Sequence, residues 1–165
     1  MAHLYRYNQL FGNKAKYFTS YSVDCVSEQD ILVIYKNNFF IIEVKDIAFR
    51  EPFRNPEKSY DRIKGDFENA IQKGYEQCLR VEDAIWNNDH LTLIDADDFK
   101  KKVAEIDTRN VANTFSIVVT TFRYGSIQTD LSRLLKRKDE MALFPWSVSI
   151  DDLENFILLL VTCKR

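Results

Sequence analysis

Three ionisable residues, Asp30, Glu43 and Lys45, are set into a largely apolar stretch of this 165-residue chain, DILVIYKNNFFIIEVK from Asp30 to Lys45. Two β-favouring runs, ILVIY and FFIIEVK, flank Asn37-Asn38, and asparagine tolerates positive φ, so the segment predicts a β-hairpin. A turn centred between Asn37 and Asn38 pairs Lys36 with Phe39, Ile34 with Ile41, Leu32 with Glu43 and Asp30 with Lys45. Opposed residues share a face, as do side chains two apart on one strand. The three groups then project from one side at one end; an odd residue count in the loop would send Asp30 to the other face. Two carboxylates about 6 Å apart at an effective dielectric near 20 repel by roughly 3 kcal/mol, which a cation removes. Magnesium suits the pair, because it is a hard ion that takes one or two protein carboxylates and completes its octahedron with water and phosphate. A neighbouring ammonium, Lys45, could orient a metal-bound water or stabilise charge developing on phosphorus. The alternative is a Lys45 to Asp30 ion pair on a wet strand end, with Glu43 solvated.

The surrounding elements must hold that end of the hairpin. Tyr17, Thr19, Tyr21, Val23 and Cys25 alternate with polar residues and predict a half-buried strand. Residues 46 to 60, with Pro52 and Pro56, predict a loop. A helix is expected from about Asp61 to Asn87, because Ile63, Phe67, Ala70 or Ile71, Gly74, Cys78, Val81 and Ile85 keep steps of three and four. Gly74 costs about 1 kcal/mol in helix propensity relative to alanine, and close approach to a sheet is the expected compensation. LTLID and FKKKVAEID, around Ala96-Asp97-Asp98, predict a second hairpin. FSIVVTTF, Phe115 to Phe122, predicts a strand buried on both faces. A short amphipathic helix is expected from about Ile127 to Lys138, then a strand at WSVS. Ser149, with Asp152 at N3, should cap a last helix through IDDLENFILLL. Trp86 and Trp146 adjoin apolar stripes and are expected to pack, and Cys78 to be a buried thiol. Strands, a long helix, more strands and further helices define a mixed α/β class in one domain.

Composition narrows the field. At 45% hydrophobic and 29% charged, the chain has a globular profile rather than that of a disordered one. A net charge of -2 supplies no global field for polyanions, so nucleic acid would need a local site. Cys25, Cys78 and Cys163 form no even framework and lie outside metal-ligand spacing of one another, which points to a reducing compartment. With only His3 and His90, a His-rich zinc site or a Ser-His-Asp relay has little to draw on. No apolar run approaches the ~20 residues of a membrane span, so a cytoplasmic protein with no membrane partner is expected.

Asp30 to Lys45 resembles the core motif of the PD-(D/E)XK nuclease superfamily, in which an acidic residue, a short hairpin and a D/E-x-K triplet hold magnesium for phosphodiester hydrolysis. The helical KGYEQCLR is similar to that family's second core helix. FSIVVT followed by FPWSVSIDDLENF resembles the continuation seen in nuclease-related, NERD-like members. The resemblance spans about Tyr17 to Leu160 and implies a restriction-endonuclease-like mixed β-sheet flanked by helices. It implies Asp30 and Glu43 as metal ligands with the Val44 carbonyl as a third, and Lys45 as the catalytic lysine. It also implies Gln77 presented to the site from the helix, with Lys73 one turn earlier as the weaker match. The cofactor implied is Mg2+, with Mn2+ as a substitute, and the substrate is nucleic acid, DNA before RNA.

Two departures accompany the resemblance. Gln29 stands where a proline is common. Residues Met1 to Lys16 contain no acid for the glutamate that many members supply from a preceding helix, and Glu28 is expected on the opposite face. Three consequences remain open: a fragment of a larger chain, a further domain or subunit that completes the site, or a nuclease-fold module that binds nucleic acid or a protein partner without turnover. Arg50, Arg54 and Lys58, in the loop leaving the reactive strand end, could meet phosphates while Phe49 or Phe53 stacks on a base; a solvated loop pinned by the two phenylalanines is the alternative. Lys100 to Lys102 and the Arg133, Lys136, Arg137, Lys138 cluster could extend that track or be solvated faces. Binding by so mildly acidic a chain should be weak and strongly salt-dependent.

Overall fold

The computed structural model describes residues 12–25, 27–48, 50 and 55–163. Its centre is a seven-stranded mixed sheet in the order β5-β4-β1-β2-β3-β6-β7, formed by β1 (Ala15–Ser22), β2 (Gln29–Tyr35), β3 (Asn38–Lys45), β4 (His90–Asp95), β5 (Lys102–Asp107), β6 (Asn113–Thr120) and β7 (Trp146–Ser149). The first five strands in that order are joined by antiparallel pairing, whereas β3, β6 and β7 run parallel. The carboxyl ends of β3, β6 and β7 therefore lie at one border of the sheet. Lys45 is level with Thr120, and Thr120 with Ser149.

The hairpin forms, with its turn one position earlier than expected. Lys36 takes positive φ (56°), and the observed pairs are Tyr35 with Asn38, Ile34 with Phe39 and Leu32 with Ile41. The slip is two residues in the partner strand, so parity and faces are kept. Continuing that register sets Asp30 opposite Glu43 rather than opposite Lys45.

The long helix begins five residues before the expected start. The Asn55 side chain accepts the Lys58 N–H (3.1 Å) as N-cap, and Pro56 occupies the first turn, where its missing N–H costs nothing. Helix α1 (Pro56–Phe67) runs through a π turn, Glu68–Gln72, into α2 (Lys73–Trp86). A π turn adds one residue per turn, which lets Phe67, Ala70, Ile71, Tyr75, Cys78, Val81 and Ile85 all face Leu32, Ile34, Ile41, Leu93 and Val118 of the sheet. Buried Gln72 ties the later chain to this helix: its amide nitrogen donates to the Lys136 carbonyl (3.1 Å) and its oxygen accepts the Lys136 N–H (2.9 Å).

The amphipathic helix expected over Ile127 to Lys138 does not form. The segment makes α3 (Ser126–Thr129) and a single 3-10 turn, Leu131–Arg133. The Asp130 carboxylate takes the Ser132 N–H and hydroxyl, a local bond that competes with helix propagation. On the other face of the sheet, α4 (Ile150–Cys163) packs Leu153 and Ile157 against Ile31, Val33, Ile42, Ile117, Val119 and Val148. Ser149 caps it, accepting the Asp152 N–H (3.3 Å) and donating to the Asp152 carboxylate (2.6 Å). Among the described residues no helix is long and apolar enough to cross a membrane.

Candidate active site at the carboxyl end of β3

Glu43 is fully buried on the helical face of the sheet. Its Oε2 accepts from Lys45 Nζ at 2.9 Å and its Oε1 from the Asp30 N–H at 3.3 Å. The Gln29 amide, with its nitrogen toward the carboxylate, donates to Glu43 Oε1 (2.9 Å) and to the Gln77 carbonyl (3.2 Å), and accepts from the Ser27 hydroxyl (3.1 Å). Asp30 is one-third exposed, and its Oδ2 lies 4.0 Å from Lys45 Nζ. The same oxygen accepts the Val44 N–H at 2.7 Å, so a side chain takes over from the ladder beyond the Ile31–Ile42 pair. The expected same-side trio is thus assembled, with Asp30 reaching along the strand edge and Glu43 sealed beneath α2.

Gly74 permits that seal. A Cβ there would sit 2.8 Å from Val118 Cγ1 and 3.4 Å from Lys45 Cε, so only a glycine lets the helix settle directly onto the strand that bears Lys45. This is the close approach anticipated from its place in the apolar stripe.

Burial, and then the Asp30 carboxylate, raise the Glu43 pKa; Lys45 and the Asp30 N–H oppose them, and the result is pushed up to about 7. A buried acid balanced near neutrality between a second carboxylate and an ammonium is costly for the fold and characteristic of functional sites. Tyr21 adds a second costly group. Phe18 and Tyr21 both join the core facing α2 although they are three positions apart, and Ser20, with φ of 48°, makes the switch of face. The Tyr21 hydroxyl is buried and has no hydrogen-bond partner among the described residues. Burial, with Glu43 next, holds the phenol well above its usual range.

Of the residues expected around the trio, Val44 lies between Glu43 and Lys45 and is bonded to Asp30. Gln77 is adjacent but looks elsewhere: its amide donates to the Glu28 carbonyl (3.3 Å), while its own carbonyl receives Gln29. It therefore clamps the entry to β2. Lys73 is exposed and donates to Asn69 Oδ1 (2.8 Å), and Lys58 is exposed on the first turn of α1. Arg50 is paired through its guanidinium and backbone N–H with buried Asp66, which holds the Asp66 carboxyl below its usual range. Arg54, Phe49 and Phe53 lie outside the described residues. The other basic clusters are largely paired within the chain: Lys101 with Asp95, Lys102 with Glu105, Arg133 with Asp130, Lys136 with Glu68 and Lys138 with Asp83.

Gln29 and Tyr21 went unnoticed as members of the site. Gln29 carried one signal, a polar residue directly before the acidic strand opening. Tyr21 carried none, because its face depends on the backbone switch at Ser20. Among the described residues no group of three or more His, Cys, Asp or Glu is placed to hold a metal ion. No family model, no curated protein and no solved structure matches the chain.

Proposed function

We propose that the chain is a magnesium-dependent nuclease with a restriction-endonuclease-like fold, hydrolysing phosphodiester bonds in DNA in a reducing, cytoplasmic setting. The observation that carries it is the convergence of Asp30, Glu43 and Lys45 at the carboxyl end of a strand in a parallel set, with Glu43 buried against a second carboxylate. The donor set suits magnesium: two carboxylates, one of them open to solvent, match an ion that keeps several waters and needs few protein ligands. Asp30, Glu43 and the Val44 carbonyl would hold it, and when bound it would supply a more acidic water and a positive charge beside the phosphate. Lys45 is directed by its bond to Glu43 and would hold the attacking water or the developing negative charge. Gln29 fixes the Glu43 rotamer, and Gly74 admits the lysine stem beneath the helix.

The deciding experiment incubates the full chain with labelled DNA in Mg2+ or Mn2+, alongside Asp30→Asn, Glu43→Gln and Lys45→Ala variants shown by circular dichroism to be folded. Each should lower cleavage by about a hundredfold or more, and EDTA should abolish it. Cleavage unchanged in all three rejects the proposal. One observation favours a second reading, a DNA-binding module without turnover: Lys45 already neutralises Glu43 at 2.9 Å, and no third acid joins the pair among the described residues. DNA binding that persists in EDTA, with no cleavage at any metal concentration, would select it.

A further inference from the structure

A second region, at the opposite border of the sheet, breaks the usual burial pattern in the other direction. Strand β6 has eight residues and pairs with β3 along its whole length, but β7 covers only Ile117 to Thr120. Among the described residues no strand lies beside the outer edge of Asn113 to Ser116. That open edge forms one side of a cleft of about 760 Å³ between α2, α4 and the segment from Lys138 to Trp146. The volume is ample for a bound segment or ligand. Its walls include the stacked Phe40–Phe115 pair and the edge-to-face Trp146–Phe156 pair. Trp86 is 54% exposed there, Leu143 83% and Met141 89%. Large apolar groups gathered at one exposed place mark an interaction surface rather than ordinary surface scatter.

The polar groups of the cleft give its sign. Glu82 receives the Thr114 hydroxyl (3.0 Å) and the Ser116 hydroxyl (3.4 Å), and Thr114 in turn accepts from Trp86 Nε1 (3.3 Å). No cationic side chain among the described residues lies within ion-pair distance of Glu82. Lys138, the one ammonium on the wall among the described residues, is joined to Asp83. With Asp139 the lining carries three carboxylates against that lysine; the Arg137 guanidinium beside it is taken up by the Phe144 ring and by the Glu140 and Ala142 carbonyls, and Asp139 is already occupied by the Met141 and Ala142 N–H groups. An anionic occupant is disfavoured, and a cation beside Glu82 would also meet the Trp86 ring, where cation–π attraction adds to the ion pair.

We infer that this cleft receives an extended segment of a partner protein, added to the open half of β6 in line with β7 and carrying a basic residue flanked on both sides by apolar ones. Strand addition supplies main-chain hydrogen bonds, and pockets for alternate side chains supply selectivity. The alternation follows from β6 itself. Thr114 and Ser116 turn to Glu82 and Trp86 on the α2 side, whereas Phe115 turns to the α4 side with Phe40. An added strand must likewise send neighbouring side chains to opposite faces, so a lysine or arginine placed on Glu82 sets its two neighbours among Phe115, Trp146 and Phe156.

The test pans a displayed library of random heptapeptides on the full chain and measures the selected peptides by titration. Enriched sequences should share Lys or Arg between two apolar residues. Their affinity should fall about tenfold or more on Glu82→Arg, and clearly on Glu82→Gln, which keeps the hydroxyl contacts. Bound peptide should slow amide exchange at residues 113–116. Magnesium-dependent DNA cleavage should be the same in both Glu82 variants and the parent, so this inference and the proposed function fail separately. Absence of enrichment overturns it, as do peptides that bind Glu82→Arg and Phe115→Ser as well as the parent. Concentration-dependent self-association that Glu82→Arg abolishes also overturns it, by making a second copy of the chain the occupant. Peptide binding that appears only when residues 1–11 are deleted overturns it in favour of that segment.

Discussion

The two borders of the sheet violate the rule of apolar inside and polar outside in opposite senses. At the carboxyl end of β3, Glu43, Gln29 and Tyr21 are buried; at the amino end of β6, Trp86, Phe115 and Met141 are exposed. Helix α2 touches both, with Gly74 at the first and Trp86 at the second, about 18 Å apart at the α-helical rise. The polar border is closed within the chain, since each carboxylate oxygen of Glu43 already has a donor. The apolar border is open, since its strand edge has no neighbouring strand and Glu82 no ion-pair partner among the described residues. Stability is therefore expected to respond to substitution at the first border and binding at the second, and α4, which walls the second, holds a buried and an exposed side chain side by side for comparison. On α4, Leu153 is buried against the sheet, whereas Phe156 is 44% exposed along the cleft. Leu153→Ala should lower stability by about 2–5 kcal/mol in urea titration, as large-to-small core changes do. A loss below about 1 kcal/mol would show that the α4 face of the core is loosely packed.

The closed border should also be the pH-sensitive one. With its pKa raised to about 7 from the ordinary 4.5, Glu43 binds a proton in the folded state over a range where the unfolded chain has released it. Stability on this account is highest below about pH 4.5, falls as pH rises through 7, and is flat above. The full difference is roughly 3 kcal/mol at 1.36 kcal/mol per pH unit. Glu43→Gln should then melt higher than the parent at pH 8 and about equally at pH 4.5. In the parent, millimolar Mg2+ should raise the melting temperature at pH 8, because a ligand of the folded state stabilises by mass action, and the variant should respond much less. Equal pH profiles for parent and variant would remove Glu43 as the source, and a parent that ignores Mg2+ would remove the metal.

A smaller effect is expected at the glycine under the polar border. Gly74→Ala gains about 1 kcal/mol of helix propensity but drives a methyl group to 2.8 Å from Val118 Cγ1, and such overpacking costs about 1–3 kcal/mol. Val118 is buried in a central strand and has little freedom to move aside. The net should be a loss of about 1 kcal/mol, with the proposed cleavage reduced beyond what partial unfolding explains because Lys45, with Cε at 3.4 Å, is the next residue met after Val118. A gain in stability would mean that the helix can lift from the sheet without consequence.

These contrasts also mark what was legible in the residues alone. The hairpin, the helical stripe and the Gly74 contact were readable because periodicity and side-chain volume act locally, and the side shared by Asp30, Glu43 and Lys45 survived a misplaced turn because parity depends on the loop's residue count being even. The turn itself was misplaced because Lys36, not an asparagine, takes the positive φ. The start at Pro56 was missed because proline signals a loop as readily as a first helical turn. The absent helix after Ile127 reflects Asp130, whose short-range bonds outweigh an apolar spacing. Phe115 to Phe122 read as buried throughout, yet Phe115 is 43% exposed, because burial on that side depends on where β7 begins, a distant fact that no local pattern carries. Trp146 packs on the Phe156 ring as expected but remains 40% exposed, and Trp86 is 54% exposed, since both face the cleft.

The smallest predicted effect bears on the open border most directly. Met141 is 89% exposed, and its backbone N–H is held by Asp139 (2.8 Å), so the local chain does not depend on its side chain. Met141→Lys should change unfolding free energy by no more than about 0.5 kcal/mol, as surface substitutions away from buried features do. It should nonetheless weaken any selected peptide, because a second cation in the cleft competes with the peptide's own for the same negative potential. Thermal denaturation and titration on one preparation read both quantities. A loss of 1.5 kcal/mol or more would mean that the methionine is already covered in solution and that the border at β6 is closed like the one at β3.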